Sequence, residues 1–244
     1  MEWRDTGFVL AARRHGETSL IVELLTAEHG RHGGLVRGGQ SPRRRALLQP
    51  GNSVAASWRG RLPEHLGMLD CELVEAHAAR LLDLPDRLAA LGAATSLLLT
   101  ALPEREPHGD LYRSFAGLLQ ALGSGPFWAQ SYVAWECELL AGLGFGLDLT
   151  RCAATGVSED LAYVSPRSGR AVSREAGRPY HDKLLPLPDF LWRPGETCGP
   201  ASQFDIVAGL DLTQYFLSHH VLAPHGGKLP EARQRLADRM RRLP

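Results

Sequence analysis

The hydrophobic period of this chain changes at Pro85, and that change limits the folds open to it. Before it, apolar residues come in short runs, at 7–12, 20–25, 35–37, 54–58 and 66–74. Short runs rich in β-branched and aromatic residues and bounded by turn signals predict five strands. Glu28, His29 and Gly30 mark one turn, while Gly38, Gly39, Ser41 and Pro42 open a longer loop that carries Arg43, Arg44 and Arg45; these residue types reach turn conformations at low cost. Five strands and a basic loop describe a partly open barrel of the OB type, and propensity alone leaves an SH3-like barrel open as well.

After Pro85 the runs lengthen and fill with Leu and Ala, at 86–102, 110–122 and 126–143, and read as helices. Asp86 and Asp110 are the expected N-caps, Pro126 suits a first turn, and Gly142 and Gly144 mark a C-terminus. The stretch 147–200 turns to Gly, Pro, Ser and Arg with little period, which predicts an irregular insert with a hairpin around 163–172. Two further helices follow. Ser202 and Asp205 resemble a capping box ahead of a stripe of Ile206, Leu210, Leu217 and Val221. In the last helix Ala232, Leu236, Met240 and Leu243 face inward, with Arg235, Arg239 and Arg242 on an adjacent face. The expectation is an α+β chain: an OB-fold nucleic-acid-binding domain at 1–80, then a mainly α-helical domain at 81–244 containing the insert 147–200.

Charge bears on function through its distribution rather than its sum, which is zero. Residues 1–61 hold ten arginines against five acids, and 31–61 hold seven arginines and no acid, whereas 62–148 hold four arginines against twelve acids. Basic residues gathered in one small domain predict a polyanion partner there. The candidate contacts are Arg14, Arg31, Arg37, Arg43, Arg44, Arg45, Arg59 and Arg61, with Phe8 and Trp58 as faces on which unstacked bases could rest. Trp58 equally suits a barrel core. The acidic stretch 62–148 would either turn nucleic acid away or dock a basic partner.

Catalytic chemistry has no anchor in the sequence. There is no Walker lysine motif, no Gly-x-Ser-x-Gly elbow and no HExxH. The glycines of 142–146 follow a helix, whereas a phosphate loop follows a strand. His29 with His32, and His219, His220 and His225, lack a recognised metal-ligand spacing, and Tyr180, His181 and Asp182 read as a polar turn. No cofactor is expected. Cys71, Cys137, Cys152 and Cys198 are too scattered for a disulfide framework. Arg4, Asp5, Arg13 and Arg14 interrupt any signal-peptide core, and the apolar run 88–102 is too short to span a bilayer, so a cytoplasmic location without membrane association is expected.

Read in order, the segments 7–10 (GFVL), 16–30 (GETSLIVELLTAEHG), 38–45 (GGQSPRRR) and 48–50 (LQP) resemble the N-terminal domain of the RecO recombination-mediator family. The segments 135–146 (WECELLAGLGFG), 149–152 (LTRC) and 155–156 (TG) are similar to its helical-domain signature and the start of its zinc-finger-like insert. The resemblance implies an OB-fold, a helical domain, and DNA repair and recombination without catalysis: binding of single- and double-stranded DNA, annealing of complementary strands, and help in placing RecA on DNA coated by single-strand-binding protein, together with RecR. It also implies capture of the acidic, Phe-ending tail of single-strand-binding protein, for which Arg235, Arg239 and Arg242 are the candidates. Some members hold zinc through four cysteines in the insert. Here Cys152 stands alone, Thr155 takes the second position, and Ser165, Ser168 and Ser173 fill the stretch beyond, so an insert of similar outline without metal is expected. A general OB-fold protein for single-stranded DNA or RNA, without a mediator role, is the alternative; a histidine-based metal hydrolase and a pure scaffold are more distant ones.

Overall fold

The computed structural model describes residues 1–62, 65–193 and 199–242, so the expectations placed on Leu243 and Cys198 lie outside the described residues. The chain forms two compact units, Met1–Gly123 and Ser124–Pro244.

The first unit is built on β1 (Glu2–His15), β2 (Ser19–Thr26), β3 (Gly30–Val36), β4 (Ser53–Arg59) and β5 (Met68–Glu75), which close into a barrel in the order β1-β2-β3-β5-β4. β1 is long enough to serve two neighbours. Its first half pairs with β4, from Glu2 opposite Arg59 to Phe8 opposite Ser53, and its second half pairs with β2. A register shift between Val9 and Ala11 lies where one pairing gives way to the other, as expected of a bulge that bends a strand. The ring closes where β3 meets β5 in parallel, Leu35 opposite Met68, with the Leu35 amide donating to the Gly67 carbonyl at 3.0 Å. Val9, Val22, Leu24, Val36, Val54, Trp58 and Leu69 fill the interior.

β3 starts five residues before the expected 35–37 run. Its buried positions are Gly30, His32, Gly34 and Val36, so period two is present but is carried by residues that do not look apolar. Space dictates the glycines. A Cβ on Gly34 would lie 2.5 Å from the Leu69 Cβ, and one on Gly30 would lie 2.0 Å from the Glu106 carbonyl oxygen.

The arginine run proves to be helical, not a loop: α1 spans Pro42–Leu47. Pro42 fits the first turn, where no amide is needed, and Arg, Ala and Leu are good helix formers. Leu48 anchors its end in the barrel core. Asn52, which is buried, donates to the Ala46 and Leu47 carbonyls (3.1 and 3.0 Å) and accepts from the Ala78 amide (3.1 Å), so the helix is fastened to the barrel at its C-terminal end. Helices α2 (Pro85–Ala101) and α3 (Gly109–Ser124) complete the unit. Phe8 is buried against Tyr112 and Phe115 of α3, at ring-centroid distances of 4.9 and 5.4 Å. Asp86 and Asp110 lie inside the first turns of these helices rather than at the N-caps, where a negative charge still meets the positive end of the helix dipole.

The second unit contains α4 (Trp128–Gly142), a three-stranded sheet of β6 (Leu161–Val164), β7 (Ala171–Ser173) and β8 (Leu185–Pro186), short helices α5 (Arg174–Gly177) and α6 (Asp189–Trp192), and then α7 (Gln203–Phe216) and α8 (Glu231–Arg242). The expected hairpin is β6 and β7, with β8 added on the other side of β6. α4 runs to Gly142, and Gly144 takes the left-handed conformation at φ +86°. Ser202 caps α7 through its hydroxyl, which accepts from the Asp205 amide at 3.1 Å. Ile206, Leu210, Leu217 and Val221 are buried, as their spacing predicts.

A feature without a sequence signal binds three of these helices. Arg233 of α8 and Glu136 of α4 are fully buried and paired: Arg233 Nη2 donates to Glu136 Oε2 at 2.9 Å and to the Leu210 carbonyl of α7 at 2.8 Å, Arg233 Nε donates to Glu136 Oε1, and the Thr213 hydroxyl donates to Glu136 Oε2. Burial disfavours the guanidinium charge, but the carboxylate more than offsets this and holds the Arg233 pKa above its ordinary value. Among the described residues no helix is long and apolar enough to cross a membrane.

Candidate nucleic-acid interface

Closure of the barrel brings together arginines that are far apart in sequence. Arg4 on β1, Arg37 just after β3, Arg44 on α1 and Arg59 at the end of β4 line one cleft of 440 Å³, with Ser57, Met68 and Leu69 beside them. The period of β1 explains the placement of Arg4. Trp3 turns toward the core, so Glu2 and Arg4 on either side of it project outward, and register puts Glu2 opposite Arg59 and Arg4 opposite Ser57. Arg4 was not among the sequence candidates, although alternation around Trp3 could have marked it.

Two acids answer the four arginines. Glu2 pairs with Arg59, accepting from Nε at 3.3 Å and from Nη2 at 3.2 Å, and this hydrogen-bonded guanidinium holds the Glu2 carboxyl below the usual carboxylate range. Asp70 on β5 accepts from Arg44 Nη1 at 3.2 Å. A larger groove of 1370 Å³ adjoins, bordered by Arg43, Arg44, Asp70 and Glu72 and floored by apolar residues including Leu47, Leu73, Leu82 and Leu88. A third hollow, bordered by Arg4, Thr6, Ser57, Asp70 and Glu72, lies on the same barrel.

The structure thus gathers Arg37, Arg44 and Arg59 in the cleft and sets Arg43 on the neighbouring groove. Arg14, Arg45 and Arg61 are exposed but line neither. Arg31 is corrected to a fold residue. Its side chain is only 15% exposed, its Nε donates to the Leu102 carbonyl at 3.0 Å, and it pairs with Glu23 (3.3 Å) and Glu104 (3.5 Å). Burial raises the Glu23 carboxyl, and Arg31 opposes that rise. Trp58 and Phe8 are corrected as well. Trp58 is 1% exposed and donates from Nε1 to the Leu66 carbonyl, while Phe8 is covered by α3, so neither offers a face to a base. Trp58 instead stacks on Trp3 at 5.9 Å, and Trp3 stacks on His29 at 4.3 Å, with His32 edge-on to both tryptophans. This cluster explains why the histidines near 30 serve packing. His29 Nδ1 is 3.0 Å from Asp5, and burial lowers the His32 pKa to about 4, helped by the charge on Arg105.

Among the described residues no three His, Cys, Asp or Glu side chains converge as metal ligands. Among the described residues of the insert, the surroundings of Cys152 do not suit zinc either. Cys152 is buried and accepts a hydrogen bond from the Ser173 hydroxyl at 3.4 Å. Burial pushes its thiol up, but hydrogen bonds from Ser173 and Thr155 outweigh this and bring it down to about 6. Hydroxyls therefore stand around the sulfur where a zinc site would need further thiolates. On α8, Arg235, Arg239 and Arg242 are exposed, and Arg235 pairs with Glu231 at 3.2 Å.

A five-stranded barrel with an arginine-lined cleft, joined in one chain to a helical unit that carries a small sheet, defines an α+β protein. This chain belongs to the RecO family, and so to DNA repair and recombination. The model described as recombination protein O N terminal matches residues 1–77, and that described as recombination protein O C terminal matches 83–229. It is similar to the DNA repair protein RecO of Rhodospirillum rubrum, 55% identical over 247 residues covering 99% of this chain and 97% of the relative. It is also similar to that of Rhodospirillum centenum, at 53% over 244 residues and 99% and 96% coverage, and to that of Methylobacterium nodulans, at 51% over 237 residues and 96% of each.

Proposed function

We propose that the barrel is an OB-fold whose arginine cleft binds the phosphate backbone of single- and double-stranded DNA, and that the chain acts without catalysis as a recombination mediator. In this reading it anneals complementary strands and, with RecR, helps RecA onto DNA coated by single-strand-binding protein. The observation that carries it is the convergence of Arg4, Arg37, Arg44 and Arg59 in one cleft on the barrel of a RecO-family chain. Order supports the OB-fold: the ring runs β1-β2-β3-β5-β4 with a helix between β3 and β4. Guanidinium groups that neutralise phosphates on two strands lower their mutual repulsion and leave base pairing to decide which strands join. The α8 arginines 235, 239 and 242 remain the proposed contact for the acidic tail of single-strand-binding protein, and the insert is proposed to keep its shape without zinc.

The test is single-strand affinity and annealing rate across a salt series, for the native chain, an Arg37→Ala/Arg59→Ala variant and an Arg43→Ala/Arg44→Ala/Arg45→Ala variant. Affinity of the native chain is expected to fall steeply with salt. Each lost phosphate contact should reduce the log–log slope by about 0.7 and slow annealing. Native binding and annealing by both variants would remove the cleft from consideration.

A further inference from the structure

Asp70 stands where the grooves of the barrel meet. It borders the arginine cleft, the larger groove beside α1 and the third hollow, while Arg44 borders the first two. Both partners are held from beneath. Asp70 sits on β5 with Ser57 of β4 opposite it, and Arg44 sits on a helix that Asn52 and Leu48 fasten to the barrel. Their 3.2 Å pair is nevertheless open to solvent, with side chains 64% and 42% exposed.

We infer that Asp70 is a built-in competitor for the nucleic-acid backbone at Arg44, deciding whether a bound strand can run from the cleft into the groove that carries Arg43. The inference rests on the cleft being the nucleic-acid site. A carboxylate and a phosphate offer the guanidinium the same kind of anionic oxygen, so a phosphate reaching Arg44 displaces Asp70 or lies beside a like charge. An arginine already neutralised within the protein gains less from a phosphate contact and releases fewer counterions. Exposed pairs are weak, so Asp70 yields to a polyanion and retakes Arg44 when the strand lifts. For a protein that pairs strands and must then let go of the duplex, this favours release. Glu72, two residues along the same strand, borders the larger groove on the same side and adds to the negative rim.

The experiment compares native chain, Asp70→Asn, Arg44→Ala and the double variant on a fluorescent single-stranded oligonucleotide over a salt series, with dissociation rates. Asp70→Asn keeps the side-chain shape at an exposed position. It should bind about two- to fivefold more tightly at ~0.1 M salt, steepen the log–log slope by about 0.7 and dissociate more slowly; Arg44→Ala should abolish the gain. Affinity and slope no greater than native, or a gain that survives Arg44→Ala, would overturn the inference. An Arg4→Ala/Arg37→Ala variant measured in parallel separates the two claims. If it loses affinity while Asp70→Asn behaves as native, the cleft stands and the competitor falls; if it too binds as native, both fall.

Discussion

Arg31 and Arg44 look alike in the sequence, yet their surroundings assign them different work. Arg31 is enclosed by Glu23, Glu104 and the Leu102 carbonyl, whereas Arg44 opens onto two grooves. Arg31→Ala should therefore cost about 1–3 kcal/mol in denaturant unfolding, because it leaves the buried Glu23 with only the more distant and exposed Arg13 at 3.7 Å, and should leave the salt slope of DNA binding at its native value. His32 gives a second residue-scale test. Its pKa is lowered to about 4 in the folded chain from an ordinary 6.5, so the unfolded chain takes up the proton first. The stability it contributes is complete above pH 6.5 and is withdrawn as pH falls toward 4, by on the order of 3 kcal/mol. His77, also lowered by burial, acts in the same sense, while Glu23, raised by burial, acts in the opposite one. The clean reading is a difference: His32→Phe keeps a flat ring edge-on to Trp3 and Trp58, and its unfolding free energy should fall less between pH 7 and pH 5 than that of the native chain. The arginine excess was legible residue by residue, but the partners were not, since Glu23, Glu104 and Leu102 reach Arg31 only through tertiary packing.

Elements were legible to the degree that apolar residues carried their period. α7, with its Ser202 cap and its buried Ile206 and Leu210, follows the sequence closely as far as Phe216, beyond which the backbone widens into a π-helix over Leu217–Leu222 that keeps Leu217 and Val221 buried, and the long helices α2 and α3 follow it as well. β3 escaped in part because glycines and a histidine occupy its buried positions, and α1 escaped because Ser-Pro and paired glycines signal a turn as readily as a helix start. The Glu136–Arg233 pair escaped altogether, since charged residues in helices ordinarily face water. It supplies the prediction at this scale. Glu136→Ala should lower stability by about 3–5 kcal/mol, as expected when a buried guanidinium loses its partner. Replacing both, as Glu136→Leu/Arg233→Met, should recover most of that loss in the same denaturant titration. Recovery would mean that the pair fixes how α4, α7 and α8 pack more than it stabilises them.

At the scale of the whole chain, the change of period at Pro85 foretold strands followed by helices, but the segregation of charge did not carry over to the barrel, because β5 brings Asp70, Glu72 and Glu75 into it and residues 1–75 hold ten arginines against nine acids. The cleft itself was hidden, because its arginines come from β1, the end of β3, α1 and β4 and become neighbours only when the ring closes. The manner of closure carries a kinetic consequence. β1, β2 and β3 are consecutive and antiparallel, as are β4 and β5, so both sets can assemble from contacts near in sequence. The ring also needs two long-range seams, the antiparallel pairing of β1 with β4 and the parallel contact of β3 with β5, which rests on one register pair and closes the circle. Until then two strand edges stand bare, and a bare edge accepts any strand offered to it. An open ring exposes a chain to mispairing with its neighbours, so a variant that slows the pairing of β3 with β5 should aggregate more on refolding than its folded-state stability predicts, as light scattering read against a denaturant titration would report.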